Sequence, residues 1–128
     1  ESRGLGDVYK RQSLDNKDIK EIGYKEKSED LVLRLASLAK ESGLDGIVCS
    51  AKEISLIKRK LGEDFMLVVP GIRLDEDNKN DQKRTMSPKN AIDEGADLLV
   101  IGRSITESND PKNTINKILK NIKNDTKD

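Results

Sequence analysis

Apolar residues in this chain fall into two kinds of run. Three are short and nearly unbroken, and have strand length: Gly46-Ile47-Val48-Cys49-Ser50, Phe65-Met66-Leu67-Val68-Val69 and Leu98-Leu99-Val100-Ile101. Between them, apolar positions recur at the spacing of a helix face. Leu31, Val32, Leu35, Leu38 and Ala39 make one such stripe, with Ser28 as its N-cap and Gly43 as its stop. Residues 52–60 predict a second helix, with Ile54, Ile57 and Leu61 inward and Gly62 at its end. Ser87-Pro88 is an N-cap followed by proline at the first helical position. That helix turns Ala91 and Ile92 inward and ends at Gly95. Asn109-Asp110-Pro111 opens a last helix whose stripe is Ile115, Ile118, Leu119 and Ile122. A short helix over 16–23, closed by Gly23, precedes them all, and residues 123–128 form a polar tail expected to fray.

The order is therefore α-β-α-β-α-β-α. Such alternation predicts an α/β fold with a parallel sheet. The run Phe65 to Val69 is apolar throughout, which predicts a strand covered on both faces. Three strands leave two bare sheet edges. A complete (β/α)8 barrel typically takes about 250 residues, and this chain has 128. Two architectures follow: a small open α/β domain, or the end of a barrel.

Residues 1–12 stand apart, with no sustained period of a strand or a helix. The run from Arg3 to Gln12 resembles a translated sequencing-adaptor read-through, the alternative being an ordinary flexible N-terminus. It is excluded from fold reasoning. The expected folded unit is 13–122.

Composition narrows the chemistry. Charged residues are 38% and apolar residues 34%, a thin supply for a closed core against the usual ~45–50%. Lys and Arg together number 24, as do Asp and Glu. That balance favours neither nucleic acid nor a membrane surface as partner. The chain has no His, so a Ser-His pair or a His metal ligand within it is excluded. The single Cys49 permits no intrachain disulfide, and its place in a strand beside Ser50 predicts a core side chain. Aromatics are limited to Tyr9, Tyr24 and Phe65, too few for a base-stacking reader. With no signal peptide and no apolar run approaching ~18 residues, the expectation is a cytoplasmic protein.

The candidate chemistry lies at the strand ends. Val68-Val69-Pro70-Gly71-Ile72-Arg73 and Leu98-Leu99-Val100-Ile101-Gly102-Arg103 each end in a basic, glycine-containing corner. Barrel enzymes hold phosphorylated substrates at this end of the strands. Gly102 would let an anion approach the backbone, and Arg103 offers a planar fork suited to phosphate. The plainer reading is a strand-end turn with a solvated Arg. The connection from Arg73 to Met86 exceeds the ~2–6 residues usual for such loops and has the length of a binding loop or lid. It holds Asp75, Glu76 and Asp77 among Lys79, Lys83 and Arg84, and this mixed charge favours a solvated tip over a metal site. Gln82 is a neutral group able to bridge a phosphate and a neighbour. Pro70 sets the chain direction out of the strand. Ser50 ends the first strand on the same rim, where its hydroxyl either contacts a ligand or caps the following helix.

These residues also carry a resemblance. Gly43-Leu44-Asp45-Gly46-Ile47-Val48-Cys49-Ser50-Ala51 resembles the sixth-strand signature of bacterial-type orotidine 5'-phosphate decarboxylases. Pro70-Gly71-Ile72-Arg73, Asp81-Gln82-Lys83-Arg84 and Leu99-Val100-Ile101-Gly102-Arg103-Ser104-Ile105-Thr106 resemble the seventh-strand end, the phosphate-gripping loop and the eighth-strand end. Asp110-Pro111 matches the start of the last helix. The motifs occur in family order between Ser13 and Ile122.

The resemblance implies a (β/α)8 TIM barrel, of which this chain holds about strands 6–8. It implies a lyase that decarboxylates orotidine 5'-phosphate to UMP in pyrimidine biosynthesis, without metal or organic cofactor, as a homodimer. It assigns substrate binding to Arg73, Gln82, Gly102 and Arg103, with Gln82 and Arg103 on the phosphate, and places Ser50 at the pyrimidine. The family's catalytic Lys and Asp lie in an Asp-x-Lys-x-x-Asp motif that nothing here matches; Asp15-Asn16-Lys17-Asp18 has the wrong spacing and sits on the wrong element. The fifth-strand position falls at about Gln12. The expectation is a C-terminal fragment with the substrate-holding side, no catalytic residues, and no activity of its own. Two other readings fit the strand-end logic: another phosphosugar-binding barrel enzyme, and a non-catalytic phosphate-binding half-barrel.

Overall fold

The computed structural model describes residues 16–25, 27–74 and 86–123. Three parallel strands, β1 (Gly46–Val48), β2 (Met66–Pro70) and β3 (Leu98–Val100), lie in sequence order in one sheet. The register pairs Ile47 with Leu67, and Val69 with Leu99. The helices are α1 (Asn16–Glu21), α2 (Ser28–Glu41), α3 (Ile54–Leu61), α4 (Pro88–Asp93), α5 (Arg103–Thr106) and α6 (Pro111–Lys123). A 3₁₀ turn, Ala51–Glu53, leads into α3.

The expected alternation is present, and most helix ends follow local chemistry. Ser87 caps α4, its Oγ accepting from Asn90 N–H at 3.2 Å, with Pro88 next. Asp110 Oδ1 accepts from Asn113 N–H at 3.0 Å to start α6. Ser28 departs from expectation. It is the first helical residue rather than the cap, because Lys27 takes the extended cap conformation. The Ser28 N–H is instead satisfied by Asn16 Oδ1 at 2.9 Å, a contact between helices that local sequence does not announce.

The core lies between one face of the sheet and the helices. Ile47 and Cys49 from the first strand segment, with Leu67 and Val69, pack with Val32, Ala36 and Ala39 of α2, Ile54 and Ile57 of α3, and Ala91 of α4. On α2 the buried face centres on Ala36, so Leu38 is left exposed on its flank. Phe65 is buried and carries Lys40 over its ring at 6.0 Å; Lys40 also donates to the carbonyl of Leu61, tying α2 to the end of α3.

The opposite sheet face corrects the expectation of two-sided cover. Along β2, Leu67 and Val69 are buried but Met66 is exposed, so burial alternates although the sequence is uniformly apolar. Leu98 and Val100 are exposed on the same side. The stripe of α6 is likewise only partly used: Ile118 is buried, whereas Ile115 and Leu119 are exposed.

Lys58 is the one buried charge among the described residues. Its ammonium donates to the carbonyls of Glu63 (2.9 Å) and Phe65 (3.1 Å) and to Asp97 Oδ2 (2.9 Å). Asp97 Oδ2 also accepts from Leu67 N–H at 2.8 Å. All three ammonium protons are thus used, and the entries to β2 and β3 are pinned to α3. Burial pushes the Asp97 carboxyl pKa up, but the Lys58 and Leu67 hydrogen bonds and the Lys58 charge outweigh it and hold the group below its ordinary value.

Candidate functional site

Because the strands are parallel, their C-terminal ends share one rim. β1 leads through buried Cys49 to Ser50. The Ser50 N–H donates to Glu53 Oε2 at 3.0 Å, and Glu53 N–H donates to the Ser50 carbonyl at 3.0 Å, so the Ser50 backbone and the Glu53 carboxylate start the 3₁₀ turn. The Cys49 thiol is pushed up to about 12, first by burial and then by the nearby Glu53 carboxylate. A thiol held protonated is no nucleophile, in keeping with its core position.

β2 ends at Pro70, and Gly71 then turns the chain with φ +75°, a conformation that favours glycine. This turn drives Ile72 inward to 2% exposure, where it bridges to Met86. Arg73 N–H donates to the Met86 carbonyl at 3.3 Å, closing the base of the long loop. Gln82, with Asp75, Glu76, Asp77, Lys79, Asp81, Lys83 and Arg84, lies outside the described residues.

β3 leads to Gly102, where an added Cβ would meet open space. Its carbonyl accepts from Ile105 and Thr106 N–H at 2.9 and 3.1 Å, starting α5 with Arg103 as the first helical residue. Arg73, half-buried, and Arg103, exposed, line one cavity of about 520 Å³. Lys117 joins them as a third cation, while Glu107 and Asp110 contribute carboxylates. Ser50 and Gly102 stand on the same rim but are not among the residues lining this space.

Two features escaped the sequence reading. On the α5–α6 wall of the cavity, Ser108 and Thr114, bonded to each other at 2.7 Å, fall outside the motifs. The Lys58–Asp97 pin did leave a signal: Lys58 falls on the same face of α3 as Ile54 and Ile57, so the pattern pointed a charge inward. Among the described residues, no group of His, Cys, Asp and Glu is arranged to hold a metal ion, and no helix is long and apolar enough to cross a membrane.

Residues 4–118 match the model of the orotidine 5'-phosphate decarboxylase / HUMPS family. The chain belongs to that family. The match begins at residue 4, inside the N-terminal run set apart above; that run lies outside the described residues. The orotidine 5'-phosphate decarboxylase of Coxiella burnetii (strain RSA 493 / Nine Mile phase I) is 53% identical over 111 residues, which is 87% of this chain and 47% of that protein. The enzyme of the same name from Ehrlichia canis is 52% identical over 110 residues, covering 86% and 48%. Among solved structures, orotidine 5'-phosphate decarboxylase from Lactobacillus acidophilus superposes with a TM-score of 0.74 at 32% identity, over 91% of this chain and 47% of that one. An uncharacterized conserved protein from Geobacillus kaustophilus gives 0.72 at 32% identity, over 88% and 46%. The decarboxylase family fold is a TIM barrel, and this member shows three of its parallel strands with their helices. The chain spans about half the length of the relatives it matches.

Proposed function

We propose that this chain is the C-terminal, substrate-holding part of an orotidine 5'-phosphate decarboxylase, comprising about strands 6–8 of the barrel. The observation that carries the reading is the convergence of Arg73 and Arg103 on one cavity at the C-terminal rim. Arg103 and Gln82 grip the phosphate, and the open backbone at Gly102 admits it closely. Arg73 supports the same end of the substrate, and Ser50 meets the pyrimidine from the first strand end.

In the reaction, the bond from C6 to the carboxylate breaks, carbon dioxide leaves, and the electron pair left on C6 takes a proton from a Lys. No Asp-x-Lys-x-x-Asp motif occurs in this sequence, so that step belongs to residues beyond it. The task of this chain is binding at a distance from the reacting carbon. Such binding organises the site and its loops, and therefore acts on turnover as well as affinity. No metal or organic cofactor enters this reading, and the homodimeric, cytoplasmic enzyme is part of the same proposal.

The test is Arg103→Ala in a chain completed with the rest of the Coxiella burnetii relative. A charge-assisted hydrogen bond contributes about 1.5–3 kcal/mol, so KM for orotidine 5'-phosphate should rise by roughly one to two orders of magnitude. Unchanged KM and kcat/KM would remove the phosphate assignment.

A further inference from the structure

Arg103 opens a very short helix. α5 has four residues, well below the ~12–15 at which an isolated helix becomes even marginally stable in water. None of its residues is buried, and its N-cap, Gly102, has no side chain to bond the first turn. The neighbouring α6 is better anchored. Ile118 is buried, and Asn121 Oδ1 accepts from Lys89 N–H at 3.2 Å, tying α6 to the start of α4. Between α5 and α6 lies a closed ring of hydrogen bonds. Thr114 Oγ1 donates to the Asp110 carbonyl at 3.1 Å. With that proton committed, the proton in the 2.7 Å bond between Ser108 and Thr114 comes from Ser108. Ser108 Oγ in turn accepts from Asp110 N–H at 3.2 Å. Each hydroxyl therefore donates once and accepts once. Ser108 continues the chain out of α5, its N–H donating to the Ile105 carbonyl at 3.2 Å. Thr114 belongs to α6. Both line the cavity that Arg73 and Arg103 share.

We propose that Ser108 and Thr114 are positioning residues: their hydroxyl ring clasps α5 to α6 and so holds Arg103 at the cavity. An Arg carried on a loose turn must be ordered each time a ligand binds, which weakens binding. A turn fixed beforehand removes that cost. The rival role for the two hydroxyls is direct contact with the bound anion. Their protons are already committed within the ring, so only acceptor lone pairs remain to face the cavity, and these repel an anion. The inference rests on the phosphate role proposed for Arg103.

The experiment is a double-mutant cycle in the completed chain of the Arg103→Ala test. Ser108→Ala and Thr114→Val each remove one hydroxyl from the ring. Each should lower kcat/KM for orotidine 5'-phosphate about three- to tenfold, the effect of one hydrogen bond, chiefly through KM. Ser108→Thr and Thr114→Ser keep the hydroxyls and should stay near wild type. On the Arg103→Ala background the same removals should have no further effect, because no guanidinium is left to place. Circular dichroism checks that each variant is folded, and Thr114→Val, which keeps the side-chain shape, carries the cycle if Ser108→Ala does not fold. Equal losses with and without Arg103 would assign the ring a general structural role and overturn the proposal. So would wild-type kinetics in both hydroxyl-removal variants while Arg103→Ala raises KM, an outcome that leaves the phosphate reading standing. If Arg103→Ala itself changes neither KM nor kcat/KM, the phosphate reading fails and the clasp falls with it.

Discussion

Gly71 sits where the chain must leave β2 and deliver two neighbours in opposite senses, Ile72 into the core and Arg73 to the cavity. Its φ of +75° makes that possible. A Cβ there forces strain or a different turn, so Gly71→Ala should cost about 1 kcal/mol. The cost is read as a lower urea midpoint, with Arg103 untouched; an unchanged midpoint would mean that the turn tolerates a side chain. Gly46 is constrained by space instead of dihedral angle. An added Cβ would lie 2.2 Å from the Met66 carbonyl oxygen across the β1–β2 pair. Gly46→Ala should therefore destabilise by about 3 kcal/mol, through loss of strand pairing, and the same denaturant titration reports it. Both glycines were visible as letters at strand ends. Which of them is held by dihedral angle and which by a neighbour's backbone follows only from the folded pairing.

Among elements, the link between α3, β2 and β3 rests on Lys58 and Asp97. Asp97 is depressed in the folded state, so its contribution to stability is full above the ordinary carboxyl value of 3.8. It is lost as pH falls through the folded value. Wild-type protein should show an acid limb in its stability profile, and Asp97→Asn should be less stable near neutrality with a flatter limb. Identical acid limbs in the two proteins would show that the pair does not couple folding to protonation. Strand and helix existence was legible at this scale because period and end signals are local: Ser87-Pro88 and Asp110-Pro111 mark their helices correctly. Ser28 does not take the cap position its residue type predicts: Lys27 does, and Asn16, twelve positions away, satisfies the Ser28 N–H. Leu38 and Leu119 are exposed although they lie on the predicted stripes, because helical spacing identifies a face, not what covers it.

On the scale of the whole molecule, the proposed anion-binding rim and the carbon chemistry separate. Arg73 and Arg103 are present and line one cavity, while the Lys and Asp array has no counterpart in the sequence. Purified chain alone should form no UMP from orotidine 5'-phosphate above a host-enzyme control; turnover by this chain would require a different catalytic set. The candidate site was legible in part. Gly102-Arg103 and Pro70-Gly71-Ile72-Arg73 announced themselves because strand-end chemistry is contiguous in sequence. Thr114 and Lys117 of α6 did not, because they reach the cavity through packing of α5 against α6.

By itself the sequence determined the alternation of strands and helices, the caps at Ser87 and Asp110, and the residue types at the rim. These depend on spacing and on hydrogen bonds within a few residues. Tertiary structure decided that Arg73 and Arg103 share a cavity, that Lys58 is a buried pin, and that an apolar strand such as β2 covers only one of its faces. Those outcomes depend on which surfaces meet, and apolar side chains specify that they must be buried without specifying by what.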